Sequence, residues 1–165
     1  MKNNLYSRLR EALKQSNIDS LERLYNENPG NLEIKFEYAK RVKVSDIRLS
    51  KQLIIELINN VNFKNRCSAL IELGIIEFER GNNDIAREYF ENLLNWKRSL
   101  LAKLWLGKIE ASDGRYLQAI IYLNELKGTP YGKKASVIIK EIRRMQLEER
   151  KLDKVRRWFW WRLII

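Results

Sequence analysis

The sequence predicts an all-α fold, a solenoid of stacked antiparallel helix pairs closed by one long helix, and three observations predict it. Leu73-Gly74 and Leu106-Gly107 are 33 residues apart, and so are Gly81 and Gly114, Ala86 and Ala119, and Phe90 and Leu123. Self-similarity at a period of roughly 20–50 residues marks stacked-repeat architectures. The 165 residues contain only two prolines and seven glycines, so few positions break a helix. Apolar residues also return at helical spacing through most of the chain. The length suits one domain with a sizeable core, divided into a repeat region, 1–132, and a C-terminal helix, 133–165.

Taken in order, Leu5, Leu9, Ala12 and Leu13 share one helical face, and the pattern stops at Asn17. Leu21, Leu24 and Tyr25 define a second short helix, with Asp19 or Ser20 as its expected N-cap. Asn28-Pro29-Gly30-Asn31 reads as a turn, and Leu32 to Ala39 opens the next helix. Its partner runs from Ile47 to Val61. Here Ala39 stands 35 residues before Gly74, while Ser50 and Ile54 stand 36 before Ala86 and Phe90, a one-residue slip. The helix pairs are therefore expected at about 3–28, 32–61, 66–95 and 99–127, with Gly128 to Gly132 as the closing turn. Gly74 and Gly107 fall mid-helix, where glycine costs about 1 kcal/mol relative to alanine. Close approach of the following helix would offset that, with Gly74 facing Ala86 and Gly107 facing Ala119. Gly81 and Gly114 fall at helix C-termini, where a left-handed residue is favoured. From Lys133 onward, Ile138, Ile142, Met145, Leu152, Val155 and Phe159 keep one apolar stripe, interrupted at Glu149.

The Leu73-Gly74 pair, the inter-helix Gly81, and the later Ala86 and Phe90 resemble the tetratricopeptide repeat family. So do Leu106, Gly107, Gly114, Ala119 and Leu123 in the next unit. The large aromatic residue usual before the Leu-Gly pair is replaced by Leu70 and Lys103, and the tyrosine usual after it by Glu77 and Glu110. The resemblance is clear over residues 67–132 and degenerate over 1–66. It implies a right-handed α–α superhelix whose first helices line an inner groove, formed here by Phe36, Lys40, Lys43, Ile71, Ile75, Phe78, Leu101, Leu104, Trp105 and Lys108. The family's clamp for acidic C-terminal peptides needs Lys, Asn and Arg at fixed inner positions. Phe36, Lys40, Glu72, Leu101 and Trp105 stand there instead, so an amphipathic helix or an extended peptide is the expected ligand.

The formal charge of +11 is unevenly distributed. Lys133 to Ile165 carries 11 basic and 4 acidic side chains, and the preceding 132 residues carry 21 and 17. The last stretch, Arg156, Arg157, Trp158, Phe159, Trp160, Trp161 and Arg162, combines basic residues with four consecutive aromatics, which cannot all face one core. Three roles are open to it: packing on the last repeats, insertion into a groove of a partner or a second copy to give a homodimer, and contact with an anionic membrane surface. Nucleic acid is not the expected partner, because no strand-recognition fold accompanies the basic residues.

Chemistry is notable for what is missing. The chain has no histidine, so it lacks the commonest general base and metal ligand. Its single Cys67 forms no internal disulfide framework and reads as a small core residue. No phosphate loop, nucleophile elbow or dinucleotide fingerprint occurs, and Glu72, Glu77 and Glu79 read as a solvated helix face. No metal or cofactor is expected, nor is catalysis. The opening residues do not read as a signal peptide, and no apolar run reaches the roughly 18 residues of a spanning helix. The expected protein is a cytoplasmic interaction scaffold or adaptor. The alternative is a peripheral protein held at the inner face of the membrane by its tail.

Overall fold

A computed structural model describes residues 2–15, 18–96 and 99–164, with side chains placed for 4–14, 18–95 and 99–154. Among these residues there are nine helices and no strand. They are α1 (Lys2–Gln15), α2 (Ile18–Glu27), α3 (Leu32–Val42), α4 (Ile47–Asn59), α5 (Arg66–Glu79), α6 (Asn83–Trp96), α7 (Leu100–Ser112), α8 (Tyr116–Asn124) and α9 (Gly132–Ile164). The chain forms two compact units, Met1–Tyr89 and Phe90–Ile165.

In the first unit each helix from α1 to α5 packs on its neighbour in sequence. Leu21, Leu24, Ile34, Leu53, Ile54, Leu57, Leu73 and Ile76 are buried in its core. The helix starts are fixed by side-chain caps. The Asn31 oxygen accepts from the backbone N–H of Glu33 and Ile34, and Asp46 accepts from Leu49 N–H at 2.9 Å. Such caps contribute about 1 kcal/mol each. The cap expected at Asp19 or Ser20 is not formed: α2 already begins at Ile18, which puts the Asp19 carboxylate in the first turn, where the helix dipole favours it. Ala39 and Ser50 are both fully buried where α3 meets α4, and the Ser50 hydroxyl donates to the Ala39 carbonyl at 2.8 Å. Cys67 is half-buried rather than a core residue.

The turns after α5 and α7 share one design. Gly81 and Gly114 adopt φ of 79° and 74°. Asn82 N–H donates to Glu77 O at 2.9 Å and Gly81 N–H to Phe78 O at 3.0 Å; Arg115 N–H to Glu110 O at 2.8 Å and Gly114 N–H to Ala111 O at 3.2 Å repeat the pattern 33 residues on. This paired 6→1 and 5→2 bonding is the Schellman motif, which requires the left-handed residue glycine supplies. The side chains reinforce it. Asn82 Nδ2 donates to the Glu77 carboxylate at 2.6 Å, and Arg115 Nε donates to the Glu110 carboxylate. Glu77 is 1% exposed and Glu110 5%, so Glu77 does not belong to the solvated face expected from spacing. Burial raises the pKa of Glu77, but hydrogen bonds from Lys51 and Asn82 and the Lys51 charge outweigh it and hold the carboxyl below its ordinary value.

The second unit has its core in Leu104, Ala119, Leu123, Leu126, Ala135 and Ile142, contributed by α7, α8, α9 and the turn after α8. Gly107 is buried in α7, and a Cβ built on it would lie 2.7 Å from Cγ of Leu123. The close neighbour of Gly107 is thus Leu123, one turn beyond the expected Ala119, which is itself fully buried. Gly74 and Ala86 are likewise buried. The α9 helix, about 50 Å long at 1.5 Å per residue, covers the open face of α7 and α8 through Ala135, Ile138 and Ile142. Further along its stripe Met145 and Leu152 are exposed. Glu149, the polar interruption, accepts a 3.0 Å hydrogen bond from the Tyr116 hydroxyl.

Two expectations follow. Gly107→Ala gains about 1 kcal/mol of helix propensity but overpacks against Leu123 by more, so it lowers stability by on the order of 1 kcal/mol. In a Leu123→Ala background the same change is neutral or stabilising, and a double-mutant cycle in urea that gives additive effects would refute the contact. For Glu77→Gln, loss of the charged partner of Lys51 costs on the order of 2 kcal/mol at pH 7. Because the native carboxyl titrates below its unfolded value, this stabilisation is present above the ordinary carboxylate range and is lost as pH falls through the native pKa. Urea unfolding of wild type and variant should therefore converge in acid; a gap that does not change with pH argues against the pairing.

Candidate functional site

The residues expected to line a groove belong to two different units. Phe36, Lys40, Lys43, Ile71, Ile75 and Phe78 lie in the first, and Leu101, Leu104, Trp105 and Lys108 in the second. In the first unit the surface differs from the apolar, basic-edged one expected. Phe36 is buried and packs edge-to-face on Phe63, with ring centroids 5.4 Å apart. It is therefore core, because the aromatic ring fills the space beside the Asn60 to Asn65 turn. The two lysines are already matched: Lys40 pairs with Glu37 at 2.7 Å and Lys43 with Glu79 at 3.2 Å. Glu72, half-buried among these charges, has its carboxyl pushed up by burial, with Lys43 and Lys40 opposing and Glu37 and Glu79 assisting. Ile71, Ile75 and Phe78 remain half-buried beside this mixed-charge surface.

In the second unit the expected residues come together. Leu101, Leu104, Trp105 and Lys108 occupy successive turns of one face of α7, and α9 adds Lys134, Val137 and Ile138 to enclose a cavity of about 410 Å³. The order of these residues follows from helix geometry, since positions three and four apart share a face. Leu104 forms the buried floor, joined to the α7–α8–α9 core. Trp105 is half-buried and stacks on the fully buried Phe90, with centroids 5.9 Å apart and planes 3° from parallel. That stacking holds the indole in place as a wall. Val137 is 67% exposed and marks the mouth.

The electrostatics of this cavity are one-sided. The Lys108 Nζ lies 4.0 Å from the Trp105 ring centroid, a cation–π contact contributing about 0.5–1 kcal/mol at a partly exposed site. Burial pushes the Lys108 ammonium below its ordinary pKa, and the charge of Lys134 adds to that shift. Among the described residues neither lysine forms an ion pair. By contrast Lys103, one turn away on α7, is paired with Glu125. A half-buried cation next to a second cation is an unfavourable arrangement, and a bound anion would relieve it.

The α9 side of this site is what sequence reasoning missed. Ile138 was legible as part of the apolar stripe, but Lys134 and Val137 lie off that stripe and carry no local signal. A second cavity of about 280 Å³ between α1 and α2 is lined by Arg8, Glu11, Ala12, Ser20, Arg23 and Leu24, and Arg8 there is tied to Glu27 at 2.8 Å. The side chains of Arg156, Arg157, Trp158, Phe159, Trp160, Trp161 and Arg162 lie outside the described residues, although the α9 backbone runs through them. Among the described residues no group of acidic, histidine or cysteine side chains could hold a metal, and no helix is long and apolar enough to cross a membrane. No protein-family model matches the chain, and no curated protein matches it.

Proposed function

We propose that the chain is a non-catalytic interaction scaffold of tetratricopeptide-repeat type, which binds a peptide or helix of a partner protein in the α7–α9 cavity. The observation that carries this reading is the cavity itself: an apolar floor and wall, Leu104 and Trp105, with a few polar groups at its edge. That is the usual composition of a site that takes a ligand side chain, and a rigid aromatic flanked by a cation is the kind of anchor on which interface energy concentrates. The repeat reading is supported by the registered turns at Gly81 and Gly114 and by the 33-residue spacing of Glu77 and Glu110, which extends the sequence period into hydrogen bonding. A role for α9 as the helix that closes the last pair fits the same reading, because a solenoid must cover the apolar face its final repeat leaves open.

Selection from a random peptide library on the intact chain tests the proposal. Peptides recovered on the wild type should bind Leu101→Ser and Val137→Ser at least tenfold more weakly, while both variants keep the wild-type helical circular dichroism. Failure to recover any peptide, or binding indifferent to both substitutions, would count against the cavity as a docking site.

A further inference from the structure

We infer that the α7–α9 cavity selects an acidic–apolar segment, in which a carboxylate sits between Lys108 and Lys134 and a neighbouring large apolar side chain lies against Trp105 and Leu104. This rests on the peptide-binding reading above and adds the chemistry of the ligand to it. The geometry supplies the argument. Half-buried Lys108 and exposed Lys134 line one cavity, and neither has an acidic partner among the described residues, whereas Lys35, Lys40, Lys43, Lys51 and Lys103 all have one. Among the described lysines that lack an ion pair, Lys108 and Lys134 are the two that line an apolar cavity. The acidic side chains of α9, Glu141, Glu148, Glu149 and Asp153, all lie C-terminal to the cavity-lining residues of that helix. Glu141 is taken by Arg144 and Glu149 by Tyr116.

An incoming carboxylate completes the missing pairing in a partly desolvated setting, where a charge-assisted hydrogen bond is stronger than at an open surface. The apolar lining then requires the carboxylate to be accompanied by a side chain that can displace water from Trp105. The same charge balance argues against the chain's own C-terminal stretch as occupant. Arg156, Arg157 and Arg162 would bring three more cations to a site that already holds two, and like charges at an interface oppose docking.

Three probes on the intact chain test this: a peptide library restricted to Asp, Glu and large apolar residues, a matched library with Lys and Arg in place of the acids, and a synthetic peptide of residues 154–165. The acidic library should be enriched. Its best peptide should lose at least tenfold in affinity on Lys108→Gln and on Lys134→Gln, weaken with added salt, and give way to peptides of the basic library on a Lys108→Glu/Lys134→Glu chain. Enrichment of the basic library on the wild type, tighter binding of the 154–165 peptide, or affinity unchanged by the glutamine substitutions would overturn the inference. Peptides that lose affinity with Leu101→Ser but not with the lysine variants would overturn this inference alone and leave the docking proposal standing. If no library peptide binds, both fall.

Discussion

The left-handed backbone at Gly81 and Gly114 is the constraint on which the turns after α5 and α7 depend. Three residues separate α5 from α6 and α7 from α8, and a positive φ in each turn lets the next two N–H groups return to the carbonyls just passed. Any residue with a Cβ is strained there. The same turn buries a carboxylate, Glu77 or Glu110, which would be costly without its partners. Asn82 and Arg115, each placed just after the glycine, supply them, and Lys51 of α4 adds a further one for Glu77. Backbone and side chain thus close the same joint.

Once α7 and α8 are paired in this way, the remaining face of α7 determines the candidate site. Gly107 lets α8 approach until Leu123 touches the α7 backbone, while Leu101, Trp105 and Lys108 line the cavity that α9 borders. The α9 helix covers the floor with Ile138 and Ile142 but leaves the mouth at Val137 open. A single helix thus has two roles, burial of the last pair and provision of one wall of the cavity. Phe90 supports the opposite side by stacking on Trp105. The first unit solves the equivalent problem differently: there Lys40 and Lys43 are neutralised by Glu37 and Glu79, and Phe36 goes to the core.

The helical elements were readable from sequence because apolar spacing and glycine placement are local signals. The period of 33 residues, the left-handed glycines and the closing helix at about residue 133 all rest on such signals. What was not readable depends on which neighbour a residue meets. Spacing alone put Glu77 on a solvated face, since nothing in a helical wheel reveals a turn folding back over it; its equivalence to Glu110 across the period was the available clue. Ala119 and Leu123 are one turn apart on α8, and the crossing position that decides which of them meets Gly107 is a tertiary quantity. In the site, four α7 residues were legible by resemblance, while Lys134 and Val137 depend on where α9 docks.

Lys108 is a cation held against an aromatic wall without a counter-ion among the described residues, and the reading of the site turns on it. Lysine side-chain NMR, following the Cε and Nζ signals of the intact chain through alkaline pH, measures this directly. The structure requires Lys108 to lose its proton below the ordinary lysine pKa, and its Hε protons to be shifted upfield by the Trp105 ring. A Lys108 that titrates at the ordinary lysine pKa and shows no ring-current shift would contradict it.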